Sequence, residues 1–356
     1  MTRAMSLRRV ARPAPTSPGT PGLLCDVLAR IADLARDEGA DALFCAGDLY
    51  EHDRFAPDTG NVLRSVFANL HPMRVFLAPG NHDWCGPASL YERVEWSPNV
   101  HVFKEDRLQP VELTDGVTLW GAAHRAPANT DGFLEGFSPH RSGIHLALFH
   151  GSESGWLKEQ GEGKVPHAPF DAEQLERSGL HHAFVGHYHR PCDGHLHTYP
   201  GNPEPLGFGE DGERGAVIAT IAADGSVSRQ RRRVSISEMH DVQVDVTGCS
   251  SLQDVRNAVA SVLHDRAGSG RVTLRGEIDL DIDLRPADMS DAAPGLDILL
   301  VARIFRYLTQ FINRESLHYI RVLTHVTFVP FSPRPRLRRF FLLEPPEKNV
   351  THPNFF

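Results

Sequence analysis

Four times in this chain a short apolar run ends in glycine beside an acid, an amide or a histidine, and no other feature constrains the fold as strongly. Residues 41–46 run into Gly47-Asp48, and residues 74–78 into Pro79-Gly80-Asn81-His82-Asp83. Residues 144–149 run into His150-Gly151, and residues 183–185 into Gly186-His187-Tyr188-His189. Runs of this length bounded by turn residues read as buried strands. In α/β sheets, ligand sites collect at the carboxyl ends of strands, where loops set polar groups on a rigid edge. The pattern therefore predicts four polar loops converging on one site.

The rest of the chain fits around these strands. Leu24, Val27, Leu28, Ile31, Leu34 and Ala35 recur at helical spacing with Gly39 as a stop, and residues 62–70 carry a second helical pattern. Residues 215–221 and 227–232 read as a hairpin across Ala223-Asp224-Gly225. After a boundary near Ser237, residues 242–246, 252–263 and 271–274 read as strand, helix and strand. Beyond about Pro286 no clear pattern emerges, although the most apolar run, residues 296–312, reads as a basic amphipathic helix. Its Asp297, Arg303 and Arg306 rule it out as a lone membrane span.

Charge separates the ends from the middle. Residues 1–22 hold Arg3, Arg8, Arg9 and Arg12 with no acid, in a Pro- and Ser-rich stretch that reads as disordered. Residues 301–356 hold nine Lys or Arg against three acids, and eight of the 19 Phe. The remainder, residues 23–300, has 24 basic and 42 acidic residues, a net charge of −18 that does not favour autonomous DNA binding. Five scattered cysteines without a Cys-x-x-Cys pair suggest neither a disulfide framework nor a thiolate zinc site. A reducing cytoplasm and no membrane span are expected, since the N-terminus lacks a secretory apolar core.

Ten of the 20 histidines lie between residues 140 and 200. Imidazole, carboxylate and amide ligands without thiolate favour Mn, Fe or Zn. The ordered set Gly47-Asp48, Gly80-Asn81-His82-Asp83, His150-Gly151 and Gly186-His187-Tyr188-His189 resembles the calcineurin-like metallophosphoesterases. The Gly-Asp-Leu-Tyr form of the first loop resembles, within them, the SbcD-type DNA-repair exonuclease branch. So does Tyr199-Pro200-Gly201-Asn202-Pro203-Glu204-Pro205 after the last.

This resemblance implies an α+β protein, a four-layer α/β/β/α metallophosphoesterase sandwich over residues 23–237. A small α+β capping domain follows over 238–300, and then a basic Phe-rich tail over 301–356. It makes Asp48 a carboxylate bridging two metals, with Asn81, His150 and His187 completing one and His189 reaching the other. Two cations about 3.5–4 Å apart can activate a water and neutralise phosphate oxygens during in-line displacement. His82 is implied as the catalytic acid beside Asp83, which would hold it protonated. Mn2+ is the implied cofactor. The implied partners are DNA and an SMC-like ATPase of the SbcC type, and a homodimer is compatible.

His52, Asp53, Arg54, His124 and His195 read as solvated or structural, although His52 or Arg54 is placed where it can touch a phosphodiester. His101, His145, His181, His182 and His197 read as strand or surface residues.

The family opens on a strand ending in Asp-x-His, which supplies two ligands to the metal that His189 also binds. Here no Asp, Glu or His precedes Asp26, so that metal keeps only Asp48 and His189, and the sheet is expected to show unpaired backbone. A reading frame that lost this strand accounts for the gap, and so does a variant that binds one metal and keeps an assembly role. The expected activity is a metal-dependent phosphodiesterase, a DNA exonuclease or endonuclease in repair. The alternatives are a non-catalytic subunit docking the SMC-like ATPase and a phosphoesterase acting on small phosphate esters.

Overall fold

Residues 21–127, 131–160, 165–279, 281–284, 288–289, 292–308 and 325–327 are described by a computed structural model of the chain. Helix α1 (Pro21–Asp37) opens on the proline and glycine that were expected to be disordered. A proline is tolerated there because its missing N–H has no partner in a first helical turn. Residues 1–20 lie outside the described residues. Strand β1 (Ala42–Cys45), α2 (Thr59–Ala68), β2 (Arg74–Leu77), α3 (Leu90–Arg93) and β3 (Val100–Val102) follow. The three strands form a parallel sheet in the order β1-β2-β3.

Next come β4 (Gln109–Thr114), β5 (Val117–Gly121) and β6 (Ile144–His150), a 3-10 turn at Ser154–Gln160, and α4 (Ala172–Ser178). After them β7 (His182–Gly186), β8 (Cys192–Asp193) and β9 (His197–Tyr199) complete a six-stranded mixed sheet ordered β4-β5-β6-β7-β9-β8. The expected hairpin is β10 (Gly215–Ile221) with β11 (Val227–Arg233), antiparallel and forming a two-stranded sheet of its own.

Alternation along these strands explains their burial. Val75 and Leu77 of β2 join α2 residues Leu63 and Phe67 in one apolar cluster, while Phe76 and Ala78 face another with Leu119, Leu146, Leu148 and Phe184. The odd partners on the six-stranded sheet, Ala147, Phe149, Ala183 and Val185, pack with Leu175 of α4. Strands buried on both faces need apolar residues at every position, which is why they read as continuous apolar runs rather than alternating ones. Among the described residues β1 pairs only with β2, so its other edge has no strand partner, and all four of its residues are only partly buried. The helix capping box at Asp171, whose carboxylate accepts from Gln174 N–H while Gln174 reaches back, starts α4 cleanly.

The chain divides into two units, one of Met1–Gln243 with Ala267–Arg271 and one of Val244–Arg266 with Val272–Phe356. The second holds α5 (Leu252–Leu263), capped by Ser251. A four-stranded sheet is ordered β12 (Met239–Asp245), β13 (Gly268–Asp279), β14 (Leu296–Leu308), β15 (His325–Thr327). The amphipathic helix expected over residues 296–312 is instead strand β14 as far as Leu308, and residues 309–312 lie outside the described residues. The segment is dense in Ile, Val, Phe and Tyr, which favour strands, and such apolar runs do not separate the two periods. Most of the expected tail, 309–324 and 328–356, also lies outside the described residues. Among the described residues no helix is long and apolar enough to cross a membrane.

One buried histidine outside the site gives the fold a pH dependence. His182 of β7 lies 2.9 Å from Thr198 Oγ1, and burial, then Arg229 and His197, push its pKa down to about 4. Unfolding releases it to titrate near 6.5, so the unfolded chain binds more protons between those values. The contribution is complete above about pH 6.5 and is lost as pH falls toward 4, with an upper size of about 3 kcal/mol. Urea midpoints measured from pH 7.5 down to 4.5 are expected to fall more steeply for the native chain than for His182→Asn.

Candidate metal centre

The carboxyl ends of β1, β2, β6 and β7 meet at one place. Asp48, Asn81, His150 and His187 come from those four ends. Asp48, His150 and His187 offer ligand atoms within 4.8 Å of one another, the one such group of three or more His, Cys, Asp or Glu among the described residues. His150 is the anchor, buried with its Nδ1 2.8 Å from the Ala46 carbonyl. That carbonyl has no proton to give, so Nδ1 carries the hydrogen and Nε2 presents a lone pair. Facing Nε2 are Asn81 Oδ1 at 2.9 Å, His187 Nδ1 at 3.2 Å and Asp48 Oδ2 at 3.3 Å.

These atoms fit a cation. The carboxylate is an acceptor, and the imidazoles are held neutral. Burial and neighbouring imidazoles push His187 down to about 2 and His150 well below the usual histidine range. His187 Nε2 is buried with no hydrogen-bond partner. With its proton on Nδ1 the Nε2 lone pair has no donor, and with its proton on Nε2 two lone pairs face each other across 3.2 Å. A bound cation would take up the two lone pairs that face each other, and two nitrogens with two oxygens suit a borderline metal. Burial raises the Asp48 pKa, against the pull of His82.

Close backbone approach makes the convergence possible. A Cβ at Gly186 would stand 1.9 Å from the Ala46 carbonyl and 2.8 Å from His150 Nδ1, so only glycine fits there. Asp48 and His187 adopt positive φ, 55° and 114°, an uncommon conformation for residues with side chains. Such strain costs about 1–3 kcal/mol and persists where the surroundings fix it.

Asp83, expected beside His82 as part of the acid, is what fixes the loop of Asp48. Its carboxylate is fully buried and accepts from Asp48 N–H (3.0 Å), Leu49 N–H (2.7 Å), Gly80 N–H (2.6 Å) and the Tyr91 hydroxyl (2.5 Å). Burial, then the Asp48 charge, raise its pKa to about 6. A carboxylate with four donors on it is a staple between the first two loops. His82 instead sets Nδ1 3.2 Å from Glu51 Oε2, with both side chains half-exposed, while its N–H donates to Asp48 Oδ1 at 3.1 Å. Glu51 was missed in the sequence, although its place three residues after Asp48 put it on the same loop. Tyr91 left no signal there.

His189 stands apart from the three clustered ligands, with Nδ1 2.6 Å from Glu210 Oε1. Burial would raise the Glu210 pKa, but hydrogen bonds from His189, the Leu206 N–H and Asn202 outweigh it and bring it to about 2. Among the described residues nothing joins Asp48 and His189 to form a second group of three ligands. Among the described residues the donor set therefore fits one cation and does not assemble the second that the resemblance implied.

Residues read as structural are largely props. His124 is buried, with Nε2 2.9 Å from the His150 carbonyl, and the His52 ring lies 4.5 Å from that of Trp84. His101, His145, His182 and His197 lie in β3, β6, β7 and β9. His167, not singled out in the sequence, lies with its ring centroid 5.5 Å from that of His187.

Comparison with known proteins agrees with this geometry. Residues 21–191 match the model of the calcineurin-like phosphoesterases. The chain is also similar to the uncharacterized metallophosphoesterase YhaO of Bacillus subtilis (strain 168), with 25% identity over 231 residues. The match takes in 62% of this chain and 55% of that protein, so the chain spans about half the length of this relative.

Proposed function

We propose that this chain, whose residues 21–191 match the model of the calcineurin-like phosphoesterases, is a metal-dependent phosphodiesterase that cleaves DNA as an SbcD-type repair nuclease. The observation that carries the phosphoesterase reading is the convergence of Asp48, Asn81, His150 and His187 from four strand ends. These residues would hold the cation, for which Mn2+ is the family's choice. Bound there, it supplies Lewis acidity toward a phosphoryl oxygen and makes water a nucleophile near neutral pH. His82, half-exposed on the loop of Asn81, hands a proton to the leaving oxygen, with Glu51 orienting its ring through Nδ1. His150 and His187, kept neutral, stay available as ligands.

The clusters on either face of the two sheets support a four-layer α/β/β/α arrangement. The strand and helix content after Ser237 supports a capping domain. DNA as substrate rests on the Gly-Asp-Leu-Tyr and Tyr-Pro-Gly motifs. The net charge of −18 over residues 23–300 supports leaving much of the DNA grip to a partner, in this reading an SMC-like ATPase of the SbcC type met in the cytoplasm. A second reading, a non-catalytic subunit docking that ATPase, is favoured by one observation, the lack of a third ligand beside Asp48 and His189 among the described residues.

The test is elemental analysis of Mn per purified chain, followed by assays on linear duplex DNA and a nitrophenyl phosphodiester. The nuclease reading expects bound Mn and cleavage of both substrates. His82→Ala then lowers the rate by about 10²–10⁴-fold with Mn content unchanged. Cleavage of the small diester alone makes the chain a small-ester phosphoesterase. Bound Mn without any hydrolysis, together with capture of the ATPase, makes it a docking subunit.

A further inference from the structure

Two buried tyrosines outside the ligand set hold the loop that follows His150. Its backbone groups can be accounted for one by one. The Gly151 N–H donates to the Gly186 carbonyl at 3.2 Å, the Ser152 N–H donates to the His167 carbonyl at 2.8 Å, and the Ser152 carbonyl accepts from the Phe170 N–H at 3.1 Å. The remaining groups go to phenols. The Tyr199 hydroxyl donates to the Gly151 carbonyl at 2.7 Å and accepts from the Glu153 N–H at 3.0 Å. The Tyr188 hydroxyl donates at 2.9 Å to the Glu153 carbonyl, which also accepts from the Trp156 N–H at 3.1 Å.

Both tyrosines are buried, with ring centroids 4.7 Å apart. Burial pushes the Tyr199 pKa well above the usual phenol range, so the hydroxyl keeps the proton it donates. A hydroxyl offers one donor and two lone pairs, and a single Tyr199 oxygen can therefore bridge a carbonyl and an N–H two residues apart. The two phenols come from different elements. Tyr199 ends β9, and Tyr188 stands between His187 and His189 in the fourth loop. The loop after His150 is thereby tied to the loop that carries His187.

The tie bears on His150 because the residue after it is glycine. Gly151 has no side chain to limit its backbone, and a Cβ there would stand 2.6 Å from the Ala168 carbonyl oxygen. Its conformation is set by its partners: Gly186, next to His187, holds the N–H and Tyr199 holds the carbonyl. We propose that Tyr199, with Tyr188 behind it, is a positioning residue for the metal centre: its hydroxyl fixes the peptide that follows His150, and so the arrangement in which His150 and His187 meet one cation. The proposal rests on reading Asp48, Asn81, His150 and His187 as the ligand set. It gives a physical role to the first residue of the Tyr-Pro-Gly segment and to the residue between the two histidines of the last motif.

The experiment uses Tyr199→Phe, Tyr188→Phe and the double variant of the full chain, each keeping its rings and losing only hydroxyls. In the metal-free chain, amide hydrogen exchange at Glu153 is expected to speed up about 10-fold in Tyr199→Phe, which deprives a buried N–H and a buried carbonyl of their partner. Tyr188→Phe is expected to do less, since the Glu153 carbonyl keeps the Trp156 N–H. Mn affinity measured by calorimetry is expected to fall in the same order, by about 10-fold for Tyr199→Phe, the lower end of what partners behind metal ligands contribute. The fall expected for Tyr188→Phe is about 3-fold, and this variant carries the test if Tyr199→Phe does not fold. The double variant is expected to lose less than the product of the single losses, because both hydroxyls act on one loop.

Native Mn affinity in every tyrosine variant that folds, alongside lowered urea midpoints, overturns the proposal and leaves the two hydroxyls supporting the fold alone. Unchanged Glu153 exchange in Tyr199→Phe overturns it as well. In both cases a loss of Mn binding in His150→Ala shows that the ligand reading survives. If His150→Ala itself binds Mn as the native chain does, the ligand reading fails and the proposal falls with it.

Discussion

His150→Ala is expected to leave the purified chain without retained Mn, the largest single loss of binding at this site. Truncation removes the buried nitrogen around which Asn81, His187 and Asp48 are arranged at 2.9, 3.2 and 3.3 Å. Outer partners of metal ligands are already worth about 10–100-fold in affinity, so loss of the central ligand is expected to exceed about 100-fold. The stability readout distinguishes loss of a ligand from loss of the fold. Mn at about 100 times its dissociation constant raises the stability of the native chain by about 2.7 kcal/mol, through binding to the folded state alone. In His150→Ala that increment disappears, while the metal-free variant keeps a cooperative unfolding transition. A variant that still gains stability with Mn would place the cation elsewhere.

Much of this site was legible because each ligand follows a strand in sequence, and the strand itself carries the apolar signal. Residues 144–149 and the His150 that ends them are read together, and β6 delivers the histidine to the sheet edge. What was not legible depends on partners distant in the chain. Asp83 sits beside His82 in sequence, which made an acid pair plausible. Its carboxylate is instead drawn to N–H groups 34 and 35 residues earlier and to Tyr91. Glu210 lies 21 residues beyond His189, with no periodicity linking them.

Charge was similarly opaque. Arg229 and Arg231 of β11 point at the carbonyls of Gly194, His197, Tyr199 and Pro200, and Arg231 lies 3.0 Å from Asp193. Arg232 and Arg233 pair with Glu38 and Glu238. A run that looks basic in sequence is thus spent on internal acceptors. Residues 296–308 show the other limit, since their dense apolar pattern fits a helix or a strand until sheet partners decide.

Asp83→Ala is expected to cost more stability than any other single change at the site, with loss of Mn as a consequence. Removing the carboxylate leaves the N–H groups of Asp48, Leu49 and Gly80 and the Tyr91 hydroxyl without their acceptor in a place where Asp83 itself has no exposure. Each abandoned buried donor costs about 1–3 kcal/mol, and a loss above about 4 kcal/mol is expected after relaxation. That approaches the whole stability of an ordinary domain, about 5–15 kcal/mol. Asp83→Asn separates the geometry from the charge. Its amide keeps one oxygen for two of the donors but turns an NH2 toward the other two. Only the Tyr91 hydroxyl can rotate to accept, so a backbone N–H is left facing a donor. Urea unfolding is therefore expected to order the chains as native, Tyr91→Phe, Asp83→Asn, Asp83→Ala. The positive φ of Asp48, 55°, has no other side chain holding its N–H, so the same order is expected in Mn affinity. If Asp83→Ala instead unfolds like the native chain and loses only catalysis, Asp83 acts in the chemistry and the staple assignment is wrong.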